Sequence, residues 1–155
     1  MAEDCCILPP ARRRRLPCPE CATRAAPVEI APVKFLVREV ERVRDTAYWF
    51  CDKPGCETVY FDEGGERIRR SELRVRVGAK ETQSPHLVCY CFGHTEEAIE
   101  ADFRVHGKTT IPDRIRAEIA AGTCECEFRN PSGKCCLGGV MQAAKRAQRD
   151  HAGGT

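Results

Sequence analysis

Cysteine constrains this chain more than any other feature. Twelve of the 155 residues are Cys. They fall in short groups: Cys5-Cys6, Cys18-Pro19-Glu20-Cys21, Cys51-Asp52-Lys53-Pro54-Gly55-Cys56, Cys89-Tyr90-Cys91, Cys124-Glu125-Cys126 and Cys135-Cys136. A chain of this length makes one medium domain or two small ones. Apolar residues are 42% of it, but that figure includes the cysteines, so the stock for an ordinary core is thin. Small domains in that position are stapled by disulfides or by metal. No apolar segment follows a basic one at the N-terminus, so no secretory leader is expected. The expected compartment is the cytoplasm, where grouped cysteines point to metal rather than disulfides. Bound metal then supplies part of the folding free energy.

Charge singles out no partner. Lys plus Arg is 25, Asp plus Glu is 23, and the net charge is +2, which argues against a general nucleic-acid binder. The run Arg12 to Arg15, with Pro9 and Pro10, makes Met1 to Pro17 read as a solvated, flexible arm. Cys5 and Cys6 are either a soft-metal thiol pair or flexible thiols without a fixed role. No apolar run approaches membrane-spanning length. His86, His94, His106 and His151 are scattered, and no catalytic constellation emerges. His94 is near enough to Cys91 to replace a thiolate in a Rieske-like way, but better thiolates are at hand.

Cys18 and Cys21 place two thiolates on one tight knuckle. Cys51 and Cys56 place two more on a Pro-Gly turn. That turn joins two aromatic and β-branched runs, Ala47-Tyr48-Trp49-Phe50 and Glu57-Thr58-Val59-Tyr60-Phe61, which read as strands. A knuckle facing a hairpin tip is zinc-ribbon geometry, and four thiolates close a tetrahedral Zn²⁺ shell with Zn–S near ~2.3 Å, leaving no open position. A thioredoxin-type redox pair is the competing reading, but no βαβ pattern surrounds the motif. Between the pairs, Val33, Leu36, Val37, Val40 and Val43 recur at helical spacing, predicting a covering helix over 32–45. Short strands are expected at Glu66 to Arg69 and at Leu73 to Val77, where apolar and basic residues alternate. Residues 79–87 read as a linker.

The second half reads as helical. Thr95 is an N-cap with Glu96 and Glu97 behind it, and Gly107 closes that helix. A second helix starts near Pro112-Asp113 and stops at Gly122; a third follows Cys135-Cys136 and runs to about Arg149. This hairpin returns the chain to its start, so Cys89-Tyr90-Cys91 can face Cys124-Glu125-Cys126 and Cys135-Cys136. Four thiolates converging from such loops suit a [2Fe–2S] cluster. Helix N-termini near the cysteines favour its negative charge.

These residues resemble a known family. Cys89-Tyr90-Cys91, followed by Thr95-Glu96-Glu97, a helical hairpin and a second cysteine group, is similar to the bacterioferritin-associated ferredoxin type of [2Fe–2S] domain. With Cys18-Pro19-Glu20-Cys21, Tyr48-Trp49-Phe50-Cys51, Cys56 to Phe61, Ser71-Glu72-Leu73, Arg76-Val77-Gly78 and Asn130-Pro131-Ser132-Gly133-Lys134-Cys135-Cys136, the chain resembles the N-terminal region of CopZ-type copper chaperones. The resemblance spans residues 18 to 140. It implies zinc on Cys18, Cys21, Cys51 and Cys56, and a [2Fe–2S] cluster on Cys89, Cys91, Cys126 and Cys136. The simpler ferredoxin relatives use a closer second pair, which favours Cys124; Cys124 and Cys135 thus stay open as alternatives to Cys126 and Cys136. In the copper chaperones a heavy-metal-binding domain follows this region. Here the sequence stops at Thr155, so the expectation is the redox and zinc half without the copper-carrying module.

The expected fold class is α+β. It comprises an arm (1–17), a zinc-ribbon-like β subdomain with a covering helix (18–78), a linker (79–87), an all-α [2Fe–2S] domain (88–150) and a tail (151–155). The expected function is one-electron transfer or redox sensing linked to copper or another soft metal, including reduction of Cu(II). The partner would be a redox protein or a metal-trafficking protein such as a copper chaperone domain or a P-type ATPase. The alternatives are a metal or cluster carrier without electron transfer, and an accessory of mercury resistance.

Overall fold

A computed structural model describes residues 13–153; Cys5, Cys6 and Arg12 lie outside them. Five short strands form an antiparallel sheet in chain order: β1 (Leu16–Pro17), β2 (Arg24–Val28), β3 (Tyr48–Phe50), β4 (Thr58–Asp62) and β5 (Arg67–Arg69). The hairpin expected around the Pro-Gly turn is β3–β4, with Trp49 opposite Phe61 and Phe50 opposite Tyr60. Strand alternation sorts its aromatics. Tyr48 and Tyr60 enter one core with Val28, Val33, Leu36 and Ile68. Trp49 and Phe61, with ring centroids 6.2 Å apart, enter another with Cys18, Cys51 and Cys56.

β1 and β2 carry little strand signal. β2 reads Arg-Ala-Ala-Pro-Val. Its Pro27 pairs with Trp49 on one side, while β1 reaches only Arg24 and Ala25 on the other. Pro27 therefore sits at a local edge, where a missing N–H costs no ladder bond. Arg13 closes this edge: its guanidinium donates to the Tyr48 carbonyl (3.0 Å) and the Val28 carbonyl (2.9 Å) and lies over the Trp49 ring. Trp49 Nε1 in turn donates to the Arg14 carbonyl at 2.9 Å. Arg13 to Pro17, the end of the expected arm, are thus tied to the sheet.

The covering helix is shorter than expected over 32–45 and begins earlier: α1 spans Ile30–Leu36. Val37 turns extended and bridges Leu73. The Arg38 amide donates to the Glu72 carbonyl and the Arg74 amide to the Leu36 carbonyl, each at 2.8 Å. These partners take the backbone groups that a longer helix would use, and β-branched Val37, Val40 and Val43 do not resist. Only a single 3₁₀ turn, Val40–Arg42, follows. Leu73 to Val77 is likewise no regular strand; it makes that one bridge. Its alternation survives as burial: Leu73 and Val77 are buried, Arg74 and Arg76 exposed.

A 3₁₀ turn, Gly78–Lys80, leads into the second half. There a small ribbon, β6 (Leu87–Cys89) with β7 (His94–Thr95), precedes the helices; the all-helical expectation missed it. The helices are α2 (Glu96–His106), α3 (Ile111–Ala120), α4 (Cys126–Arg129) and α5 (Leu137–Gly153). Thr95 Oγ1 accepts the Ala98 amide at 3.1 Å, and Gly107 ends α2 in the left-handed region at φ 71, as the capping signals require. α5 packs on α2 and α3 over Ile99, Phe103, Ile115, Val140 and Ala143, with Cys89, Cys126 and Cys136 in the same core. The architecture is α+β, an antiparallel sheet with helices followed by a helical region. No helix among the described residues is long and apolar enough to cross a membrane.

Candidate metal centres

Cys18 and Cys21 lie in the loop between β1 and β2. The Ala22 amide donates back to the Cys18 carbonyl (2.9 Å) and the Cys18 amide to the Thr23 carbonyl (2.8 Å). Closing so tight a loop puts Ala22 at φ 63, a conformation that costs an alanine roughly 1–2 kcal/mol. Cys51 and Cys56 lie between β3 and β4. The Cys56 amide donates to the Lys53 carbonyl at 3.2 Å, and Gly55 supplies the positive φ of 80. The four sulfurs all come within 4.8 Å of one another; Cys18 and Cys56 are 3.9 Å apart, Cys21 and Cys51 3.6 Å. A tetrahedron with ~2.3 Å metal–sulfur bonds has edges of about 3.8 Å, so these two separations match the edges of a Zn²⁺ tetrathiolate and the donor set fits that ion. Cys18, Cys51 and Cys56 are buried, as befits a closed structural site.

Without metal these sulfurs hold their protons unequally. Burial pushes the Cys56 thiol up to about 12 and also raises Cys51. At Cys21 burial acts in the same sense, but the Thr23 side chain and amide and neighbouring thiols overcome it, and the group falls to about 6. Metal binding must therefore expel protons from the buried members.

The second group is larger than four. Cys91, Cys124 and Cys126 come within 4.8 Å of one another. The Cys126 sulfur is 3.6 Å from Cys91, 3.2 Å from Cys124 and 3.2 Å from Cys136. Cys89 shares a buried core with Cys136; the Cys136 thiol pulls the Cys89 thiol down to about 6, and Cys89 raises Cys136 in turn. The turn between β6 and β7, the segment entering α4 and the turn before α5 thus bring Cys91, Cys124, Cys126 and Cys136 together around the Cys126 sulfur, and Cys89 lies in the same buried core. Cys135 is exposed. Several N–H groups already point at sulfur: Glu125 N at Cys91 (3.3 Å), Cys136 N at Cys126 (3.3 Å) and Asn130 Nδ2 at Cys136 (3.2 Å).

Comparison with known proteins places this arrangement. Residues 15–74 match zf_CopZ, a family described as a zinc binding domain. The copper chaperone CopZ of Archaeoglobus fulgidus is 35% identical over 144 residues, an alignment that covers 84% of this chain and 68% of the relative. The chain belongs to the CopZ family. The X-ray structure of the A. fulgidus CopZ N-terminal domain superposes with a TM-score of 0.66 at 32% identity, covering 82% of this chain and 96% of that one. The first cysteine quartet therefore lies in a CopZ zinc-binding domain, and the mixed fold is that of the CopZ N-terminal domain.

Several residues around the two CopZ-type cysteine groups escaped the sequence reading. Glu20, inside the knuckle, accepts the Glu57 amide (3.1 Å), Thr58 Oγ1 (2.9 Å) and Arg67 NH1 (3.1 Å), clamping Cys18 and Cys21 onto β4 and β5. Tyr60 Oη donates to the Pro131 carbonyl at 2.6 Å, so the sheet grips the turn between Cys126 and Cys136. Tyr90, between Cys89 and Cys91, accepts the Gly78 amide at 2.9 Å. The sheet and the turn at Gly78 are thus hydrogen-bonded directly to the second cysteine group's loops. A glutamate inside a Cys-x-x-Cys knuckle was the one local signal available.

Proposed function

We propose that this chain is a metal protein of copper handling in the cytoplasm. Zn²⁺ on Cys18, Cys21, Cys51 and Cys56 holds its sheet. A [2Fe–2S] cluster on Cys89, Cys91, Cys126 and Cys136 makes it a one-electron carrier or redox sensor. The observation that carries this reading is the single pocket formed by sulfurs from three separate loops, with N–H donors already aimed at Cys91, Cys126 and Cys136. Soft thiolates plus such donors are the environment an iron–sulfur centre requires. When bound, the cluster supplies a one-electron couple at that position. The chain's residues hold it and set its potential: hydrogen bonds to sulfur favour the reduced, more negative state and raise the potential, while burial excludes water.

The relative's name, copper chaperone, supports copper as the metal served. Reduction of Cu(II) to the Cu(I) that thiolate carriers hold takes one electron per ion. The partner would be a metal-trafficking protein, a copper chaperone domain or a P-type ATPase. Cys124, 3.2 Å from Cys126, supports a second reading: a spare thiolate beside a ligand allows ligand exchange, as a cluster or soft-metal carrier needs.

The test is a visible and EPR spectrum of anaerobically purified protein with metals counted. About two irons, two sulfides and one zinc per chain are expected; zinc alone would overturn the cluster. A reversible potential supports electron transfer, whereas loss of the cluster on reduction supports carriage. Serine at Cys126 or Cys136 should deplete the cluster more than serine at Cys124 or Cys135; the reverse order would move the ligands.

A further inference from the structure

Lys80 is 0% exposed, although lysine is almost never fully buried without a partner. Among the described residues no carboxylate pairs with it. Its neighbour Glu81 is engaged by Arg70 and Arg76 instead. What Lys80 faces is the second zinc loop. Its Nζ donates to the Lys53 carbonyl at 3.3 Å and its own carbonyl accepts the Gly55 amide at 3.0 Å; burial raises the Cys51 thiol, and Lys80 acts against that rise. Lys53 and Gly55 both lie between Cys51 and Cys56. One residue from outside the zinc ribbon thus holds that loop by main chain and side chain at once.

The charge balance gives this placement a purpose. Zn²⁺ ringed by four thiolates carries about two negative charges in excess, and three of these four sulfurs are buried. A buried cation without a carboxylate and a buried anionic centre without a counter-ion each cost free energy alone; side by side they offset one another. We propose that Lys80 is the counter-ion and positioning residue of the zinc centre. It fixes the Cys51–Cys56 loop through Lys53 and Gly55 and neutralises part of the tetrathiolate charge. The inference rests on zinc occupying the first quartet and adds a residue that neither the motif nor its spacing contains.

The experiment uses the full chain with its zinc bound. Zinc is counted first in the wild type: its absence would refute the occupancy itself, separately from the role of Lys80. Zinc transfer to a chromogenic chelator is then timed for Lys80→Met, Lys80→Gln and Lys53→Ala, and each is also prepared with Co²⁺ to read the thiolate-to-metal charge-transfer bands. Outer partners of metal ligands are worth about 10–100-fold in affinity, so Lys80→Met should release zinc at least about ten-fold faster, with its cobalt bands displaced. Lys80→Gln can still donate to the Lys53 carbonyl but has no charge, and it should follow Lys80→Met. Lys53→Ala keeps the carbonyl and should match the wild type. Bands that stay in place with wild-type release in Lys80→Gln would overturn the proposal, whether or not Lys80→Met folds.

Discussion

Replacing Tyr60 by Phe tests whether the sheet and the cysteine pocket are one mechanical unit. Tyr60 is 0% exposed, and its hydroxyl donates to the carbonyl of buried Pro131 at 2.6 Å. The substitution keeps the ring, which packs near Phe50 with centroids 5.9 Å apart, so no large cavity forms. What disappears is the donor, leaving a buried carbonyl unpaired. That loss costs about 1–3 kcal/mol. For a chain of 155 residues, each kcal/mol moves Tm by roughly 2–4 °C, so a fall of about 4–8 °C is expected at the midpoint of that range. Tyr48→Phe is the matched control. Tyr48 shares the core, but its hydroxyl accepts the amide of exposed Arg44 at 3.0 Å, which water can satisfy instead. The assay is thermal unfolding of zinc-loaded protein by circular dichroism. If Tyr60→Phe costs no more than Tyr48→Phe, the Pro131 contact carries no stability and the argument fails.

The same hydroxyl gives a pH signature. Burial raises Tyr60 well above the usual tyrosine value and takes Tyr90 up to about 12. Both groups are neutral in the fold where the unfolded chain, near ~10, already ionises. Their contribution is therefore complete below that value and is lost as pH climbs from it toward and beyond 12. Tyr60→Phe should shrink this alkaline loss.

Three further outcomes follow from single contacts. In Gly78→Ala the new Cβ would lie 1.9 Å from the Leu87 carbonyl oxygen. Backbone must move and the Gly78–Tyr90 bond is strained, so a loss of about 1–3 kcal/mol or more is expected in chemical denaturation; wild-type stability would refute the close approach. Glu20→Ala removes the clamp on the zinc knuckle and should speed zinc loss to a chelator several-fold, whereas an unchanged rate would mean the thiolates alone fix the loop. Burial pushes Glu97 up, but the His86 amide and ring and Ser84 overcome it and hold the carboxyl at about 2, below 4.5. Its contribution is present above 4.5 and fades as pH falls toward about 2. Glu97→Gln should therefore flatten the dependence of Tm on pH in that window, and an unchanged acid limb would refute the assignment.

What could be read from sequence was what is local in sequence. A Cys-x-x-Cys knuckle, a Pro-Gly turn between aromatic runs, and Thr95 with Gly107 around α2 each state their structure within a few residues, because turn and cap chemistry acts at that range. The failures are long-range. The valine pattern after Pro32 satisfies helical spacing equally well as helix or as bridge, and only the segment around Leu73, which takes the backbone groups of Leu36 and Arg38, decides between them. β2 is a strand because β3 and Arg13 supply partners for a sequence with no strand preference of its own.

The same distinction separates the metal ligands from what couples them. Ligand cysteines come in pairs because two donors must reach one ion from one loop, and pairing is visible in a string of letters. A residue that joins two centres has no such need. Tyr60 meets Pro131 across 71 positions and Lys80 meets Lys53 across 27; each is a common residue type in an unremarkable neighbourhood, made special only by burial. Coupling of this kind costs the chain one side chain and leaves no motif. In a protein whose cores are partly built from cysteine, removing zinc from the first quartet should therefore loosen the second cysteine group through Tyr60 and Tyr90, a change that thiol-labelling rates at Cys91 and Cys124 with and without chelator would read.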